Sequence, residues 1–290
     1  MYNYGYEMLQ LAKEKNVRLC DIVIENEVKL TEQSVEVVRE KMGRNLDVMM
    51  DSAKYGLEND VKSVSGLIGG DAKKLEEYRK NGKTLCGDVI VKAMARALSC
   101  SEVNAAMGRI VAAPTAGSCG IMPAAIITAA EVLGADREKM IDALFTASGI
   151  GQIIGKNATF AGAEGGCQAE CGAAAAMAAA GIVEMAGGTP EMALHAASIA
   201  LKNILGLVCD PIAGLVEAPC AKRNSSGTVN AMTSAELALA GIKSIIPFDE
   251  MVETMYRVGK ALPEELRETA MGGIAVTPTG IKLRKQIFGE

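Results

Sequence analysis

The sequence predicts an all-α fold: a single compact helical domain over residues 1–290, with Gly- and Ala-rich helices and loops buried at its centre and forming a pocket there. Three observations lead to this. First, 49% of residues are hydrophobic but only 3% are aromatic, and there is no Trp. Small side chains must therefore fill the interior, which suits closely approaching helices better than a β-sandwich. Second, apolar residues recur every three or four positions. Third, only 17 of the 122 residues between positions 101 and 222 are charged, against 22% overall, so this stretch should be the buried middle. A chain of 290 residues can build such a core without disulfides or a structural metal.

Residues 31–60 read as a long amphipathic helix with Val35, Val38, Met42, Leu46, Met49, Ala53 and Leu57 on one face and Thr31 as its cap. Before it, Cys20–Glu25 is the one segment with strand-like alternation. A Gly-rich loop, Ser65–Asp71, separates the long helix from a second one over Asp88–Leu98. In the middle of the chain, short apolar helices over Pro123–Leu133, Lys139–Ser148, Cys171–Met185 and Pro190–Leu207 alternate with Gly-rich loops. Thr189 caps the last of these, with Pro190 at its first position. Two further helices are expected near 231–242 and 248–260.

Net charge is −5, from 30 basic and 35 acidic residues, with no basic stripe and no interleaved aromatics, which argues against a nucleic-acid partner. The start, Met1–Tyr6, lacks the pattern of a secretion signal, so eight dispersed cysteines are expected as reduced thiols in a cytoplasm. Ile110–Ala130 carries no charge, but Pro114, Gly117, Gly120 and Pro123 break it, so it is read as core and no membrane is expected.

Free cysteine is commonly a small buried hydrophobe, and Cys20, Cys86, Cys100 and Cys119 are read that way. Cys167, Cys209 and Cys220 differ. Each sits at a Gly- or Pro-rich break between apolar runs, 42 and then 11 positions apart, which is no ordinary zinc or disulfide spacing. Three thiolates suit an iron–sulfur cluster that keeps one iron open for substrate. Cys171 follows Cys167 with C-x₃-C spacing, on one face if helical.

Other chemistry is thinly signalled. The single histidine, His195, shares a polar helix face with Glu191, Ser198 and Lys202 and reads as solvated. There is no nucleophile elbow and no Walker loop. In the Ala113–Gly120 loop, Thr115 and Ser118 offer hydroxyls while Gly117 and Gly120 let backbone approach, a cradle suited to a carboxylate or phosphate. Lys156 and Asn157, in a loop ahead of Cys167, are candidates for proton abstraction and for substrate contact. Arg223 could grip a carboxylate bidentately.

Taken together, four segments carry a resemblance: Ser65-Gly66-Leu67-Ile68-Gly69-Gly70, Ala113–Ser118, Ala161–Glu170 and Cys209–Asn224. They resemble the α subunit of the iron–sulfur L-serine dehydratases, over nearly the whole chain. The resemblance implies a [4Fe–4S] cluster held by Cys167, Cys209 and Cys220, and conversion of L-serine to pyruvate and ammonia without pyridoxal phosphate. It further implies a separate β subunit, because the smaller α/β domain usual in this family is not in the chain. Some fused members end in a cysteine that caps the fourth iron, and Lys285–Glu290 supplies none. Two alternatives stand beside it. One is a related cluster lyase acting on L-cysteine or L-threonine. The other is a non-catalytic helical subunit with structural or redox-sensing thiols.

Overall fold

The structure is a computed structural model that describes residues 1–289. Among them there are thirteen α-helices and no strand; Cys209 and Arg267 form a single bridge. In chain order the helices are α1 (Gly5–Lys15), α2 (Leu19–Thr31), α3 (Val35–Glu58), α4 (Asp71–Asn81), α5 (Gly87–Ala105), α6 (Ile121–Leu133), α7 (Arg137–Asn157), α8 (Gly162–Gly165), α9 (Ala173–Met185), α10 (Pro190–Lys202), α11 (Cys220–Leu239), α12 (Phe248–Ala261) and α13 (Pro278–Phe288).

Helix α9 is the axis of the molecule. Ala173–Ala176 and Ala178–Ala180 have no exposed surface, and α6, α7, α10 and α11 pack around them. Small side chains make this possible. A Cβ on Gly181 would sit 2.8 Å from the Ala143 carbonyl oxygen on α7, and one on Gly151 would meet Met177 at 2.9 Å. Helices this close gain dispersion contact along their backbones, but only while no larger side chain intervenes. On the far side, α5 packs against α3, α4 and α11.

Several predicted boundaries move. Cys20–Glu25 lies within α2, not in a strand. Its buried residues cover a broad helix face, packed against α1, α3 and α7. Thr31 ends α2 instead of starting α3, and its hydroxyl donates back to the Glu27 carbonyl. Glu32 takes a left-handed turn (φ 55°), and Ser34 caps α3 by accepting from the Val37 N–H. Helix α7 runs on past Ser148 to Asn157, because Gly149, Gly151 and Gly155 are close-packing positions there. Lys156 and Asn157 are therefore its last turn and not a loop. The predicted helix near 231 begins at Cys220, eleven residues earlier. Thr189 caps α10 as expected, accepting from the Met192 N–H.

One window, Ala116–Leu133, is long and apolar enough to cross a membrane, and 72% of it is buried inside the protein. In this fold α6 is a core helix touching α5, α9 and α11.

Candidate active site

Four segments meet at one end of α9 and α11. The first is the turn from α8 into the π-helical stretch Gln168–Gly172, which carries Cys167 and Cys171. Gly166 makes this turn with φ 74°, and its backbone lies against Leu207; a Cβ would be 2.8 Å from the Leu207 carbonyl oxygen. The Gln168 N–H donates to that same oxygen at 3.1 Å, which ties the Cys167 turn to the strand-like run entering Cys209. The second segment, Cys209–Pro219, is held from both sides. Cys209 N–H donates to Leu266 O and the Glu268 N–H donates to Cys209 O, so the stretch after α12 fastens onto it. Ser65, from the first Gly-rich loop, donates to the buried Glu217 at 2.6 Å. The third is the first turn of α11, with Cys220, Arg223 and Asn224 on its inner side. The fourth is the Thr115–Gly120 loop. Asn224 clasps it by donating to Gly117 O at 2.7 Å and accepting from Gly120 N at 2.8 Å.

Cys167, Cys209 and Cys220 are all buried. They share one electrostatic neighbourhood, and ionised Cys167 raises the pKa of both others. Burial is the larger cause in each case, and it pushes Cys220 to about 12. Cys167 runs the other way. Its pKa is lowered, first by the hydrogen bond with Cys171 and then by the charge of Arg223, against the cost of burial. The Cys167 and Cys171 sulfurs are 3.4 Å apart, and the fully enclosed Cys171 keeps its proton. Arg223 is fixed in turn. Its guanidinium donates to the Val208 carbonyl at 2.9 Å and to buried Asp210 at 2.8 Å, and Asp210 also accepts from the Ile274 N–H. A Cβ on Gly273 would fall 2.2 Å from Asp210, at a backbone of φ 60°, so only glycine fits there.

A carboxylate joins this group. Glu170 Oε1 accepts from Thr115 Oγ1 at 2.7 Å, and Thr115 Oγ1 lies 3.2 Å from Ser118 Oγ. Burial raises the Glu170 pKa, the Thr115 bond opposes that, and nearby Glu268 adds to it.

The family described as "Serine dehydratase alpha chain" matches residues 14–275. This chain belongs to that family. It is 51% identical to the "Probable L-serine dehydratase, alpha chain" of Bacillus subtilis (strain 168), over 100% of this chain and 96% of that one. It is 52% identical to the "L-serine dehydratase, alpha chain" of Peptoniphilus asaccharolyticus, over 100% and 99%. It also resembles the "L-serine dehydratase TdcG" of Escherichia coli (strain K12), at 35% identity over 93% of this chain but 60% of that longer one.

Within this alpha-chain fold the residues singled out from sequence divide into two groups. Cys167, Cys209, Cys220, Arg223, Thr115, Gly117 and Ser118 come together, and two of them already have partners within the protein. Both terminal nitrogens of Arg223 already donate within the protein, to Val208 O and to Asp210, so it enters the site as a braced residue with its remaining N–H groups as donors. The Thr115 loop faces a carboxylate, so it is a poor cradle for an anion. Lys156 and Asn157 lie elsewhere. The Lys156 ammonium donates to Tyr2 O at 2.8 Å and Asn3 Oδ1 at 3.3 Å, and Asn157 donates to Asn3 O at 2.8 Å, so the pair fastens the N-terminal segment to α7. Cys20, Cys100 and Cys119 are buried as expected, but Cys86 is exposed at the N-terminus of α5. Sequence reading missed Glu170, Asp210 and Asn224. Each lies inside a motif that had been noted for its cysteines, and no local pattern distinguishes a carboxylate that faces inward.

Proposed function

We propose that this chain is the helical catalytic subunit of an L-serine ammonia-lyase, and that Cys167, Cys209 and Cys220 hold a [4Fe–4S] cluster. The observation that carries this reading is the convergence of three buried thiols from three separate segments on one recess. The donor set fits the group. Among the described residues no His, Cys, Asp and Glu side chains are arranged to hold a single metal ion. A cluster makes a different demand, because its thiolates bind separate irons and are spread around it. Cys171, in hydrogen-bond contact with Cys167, is too close to that sulfur to serve a different iron of the same cubane. Three thiols then leave one iron without a protein ligand. When bound, such a cluster supplies a Lewis acid for the poor leaving hydroxide of serine.

The chain's own residues do the rest. Arg223, braced by Asp210, orients Cys167 and offsets its charge, as donors around a metal ligand commonly do. Thr115 and Asn224 fix the loop that walls the recess. Loss of the α-proton and the β-hydroxyl gives aminoacrylate and water, and hydrolysis of its imine tautomer gives pyruvate and ammonia. Lys156 would have to release the Tyr2 carbonyl to take the α-proton. Lys156→Ala decides its part, since full turnover in that variant leaves it only the anchoring role. The Bacillus subtilis and Peptoniphilus asaccharolyticus alpha chains match this chain end to end, and the longer Escherichia coli protein has about two-fifths of its length outside the match. Both facts support a separate β subunit that supplies the remaining parts.

The test is iron and sulfide analysis of anaerobically prepared protein, followed by pyruvate formation from L-serine with and without the partner. Iron and sulfide in equal amounts, with turnover dependent on the partner, is the expected result. Protein that takes up no cluster on reconstitution overturns the reading and favours a non-catalytic thiol subunit. Faster turnover of L-threonine or L-cysteine would reassign the substrate.

A further inference from the structure

We infer that Glu170 binds the α-ammonium group of the amino-acid substrate, and so makes the site selective for amino acids over the corresponding unaminated acids. The inference rests on the serine reading above. Glu170 lies on the π-helical stretch directly after Cys167, half-buried, and among the described residues no Lys or Arg pairs with it. Its one hydrogen-bond partner is Thr115, which occupies Oε1 and leaves Oε2 free.

Two glycines let the backbone come close to it. A Cβ on Gly117 would fall 2.8 Å from Glu170 Oε1. A Cβ on Gly162 would fall 2.9 Å from Glu170 Oε2, 2.9 Å from Glu268 Oε2 and 3.1 Å from Cys209 Sγ. Glycine at position 162 therefore lets these three atoms, from three segments, gather closely beside its Cα. Glu268 is presented there from a left-handed backbone (φ 65°), a conformation that a non-glycine residue adopts at a cost. Glu268 is exposed, so the pair can be reached from solvent, and two carboxylates this close favour a bound cation. An α-amino acid brings one, with three N–H donors arranged for several acceptors. Its hydroxyl and carboxylate offer Glu170 nothing comparable. Thr115 orients the carboxylate, which keeps Oε2 aimed at the recess and spares the ordering cost on binding.

The experiment compares wild type with Glu170→Gln, in complex with the partner chain and with cluster reconstituted. The amide oxygen can still accept from Thr115, so the substitution removes the charge and keeps the shape. Two ligands are measured by calorimetric titration and as substrate or competitive inhibitor: L-serine, and 3-hydroxypropionate, which lacks the ammonium. The expected result is at least a tenfold loss of affinity for L-serine with 3-hydroxypropionate unchanged. Unchanged L-serine affinity, or equal weakening of both ligands, overturns the inference, since the second outcome marks a merely structural carboxylate. The iron content of the variant should equal that of wild type, and its loss would likewise count against a role confined to substrate. A wild type that binds no amino acid sinks the serine reading itself, and this inference with it.

Discussion

Adding one methyl group at Gly162 tests whether substrate binds beside Glu170. Gly162 adopts no left-handed backbone, so alanine is conformationally allowed and gains about 0.4–1 kcal/mol by restricting the unfolded chain. Against this stands the crowding of Glu170 Oε2, Glu268 Oε2 and Cys209 Sγ, all within 3.1 Å of the new carbon. Overpacking commonly costs about 1–3 kcal/mol, but here every crowded atom is the end of a side chain that can turn away. The two effects nearly cancel, so Gly162→Ala should stay within about 1 kcal/mol of wild type, roughly 2–4 °C in Tm. Binding should not be spared. Displacing Glu170 removes a charge-assisted hydrogen bond worth about 1.5–3 kcal/mol, so the KM for L-serine should rise about ten- to a hundredfold. The assays are thermal unfolding of the apo chain and pyruvate formation by the reconstituted complex. An unchanged KM with an unchanged Tm would mean that substrate never enters this recess. A fall in Tm beyond about 10 °C would mean that these side chains cannot turn away and that the spot is packed core with no room for substrate.

Serine in place of Cys167, Cys209 or Cys220 should each remove the visible cluster absorbance and most of the iron, whereas Cys171→Ser should keep both; a colourless Cys171 variant would reassign the ligand set. Gly181→Ala should lower the denaturation midpoint although alanine favours helix by about 1 kcal/mol, because its methyl would press on the Ala143 carbonyl at 2.8 Å, a backbone atom that cannot rotate away. Glu102 is buried, its Oε2 has no partner, and burial raises its pKa. A raised folded-state pKa in an acid gives stability at low pH that is lost as pH rises through that value. Glu102→Gln, which can still accept from the Asp71 and Ala72 N–H groups, should therefore gain on wild type in Tm between about pH 4 and pH 7, and a constant difference across that range would refute the assignment.

Much of the fold could be read from the sequence because helices are local. The apolar stripe through Val38, Leu46, Met49 and Ala53 placed α3, and Thr189 with Pro190 placed the start of α10. The errors have a common cause. Gly149, Gly151 and Gly155 suggest a loop when only neighbours in sequence are considered, and α7 nevertheless continues through them because Val23, Met177 and Phe160 fill the space a side chain would take. The strand-like alternation at Cys20–Glu25 failed for the same reason, since helices on several sides bury residues that a one-faced pattern would expose.

The sequence by itself determined that this chain is helical with a small-residue centre, and that three cysteines stand apart from the other five at Gly- and Pro-rich breaks. Those properties depend on spacing along the chain, which one strand of text records in full. Only the tertiary structure decided that Asp210 braces Arg223 beside Cys167, that Lys156 anchors the N-terminal segment, and that Glu170 meets Thr115 across 55 positions. Electrostatic partners are chosen by distance in space, and burial sets how strongly they act. Neither quantity exists until the helices have packed.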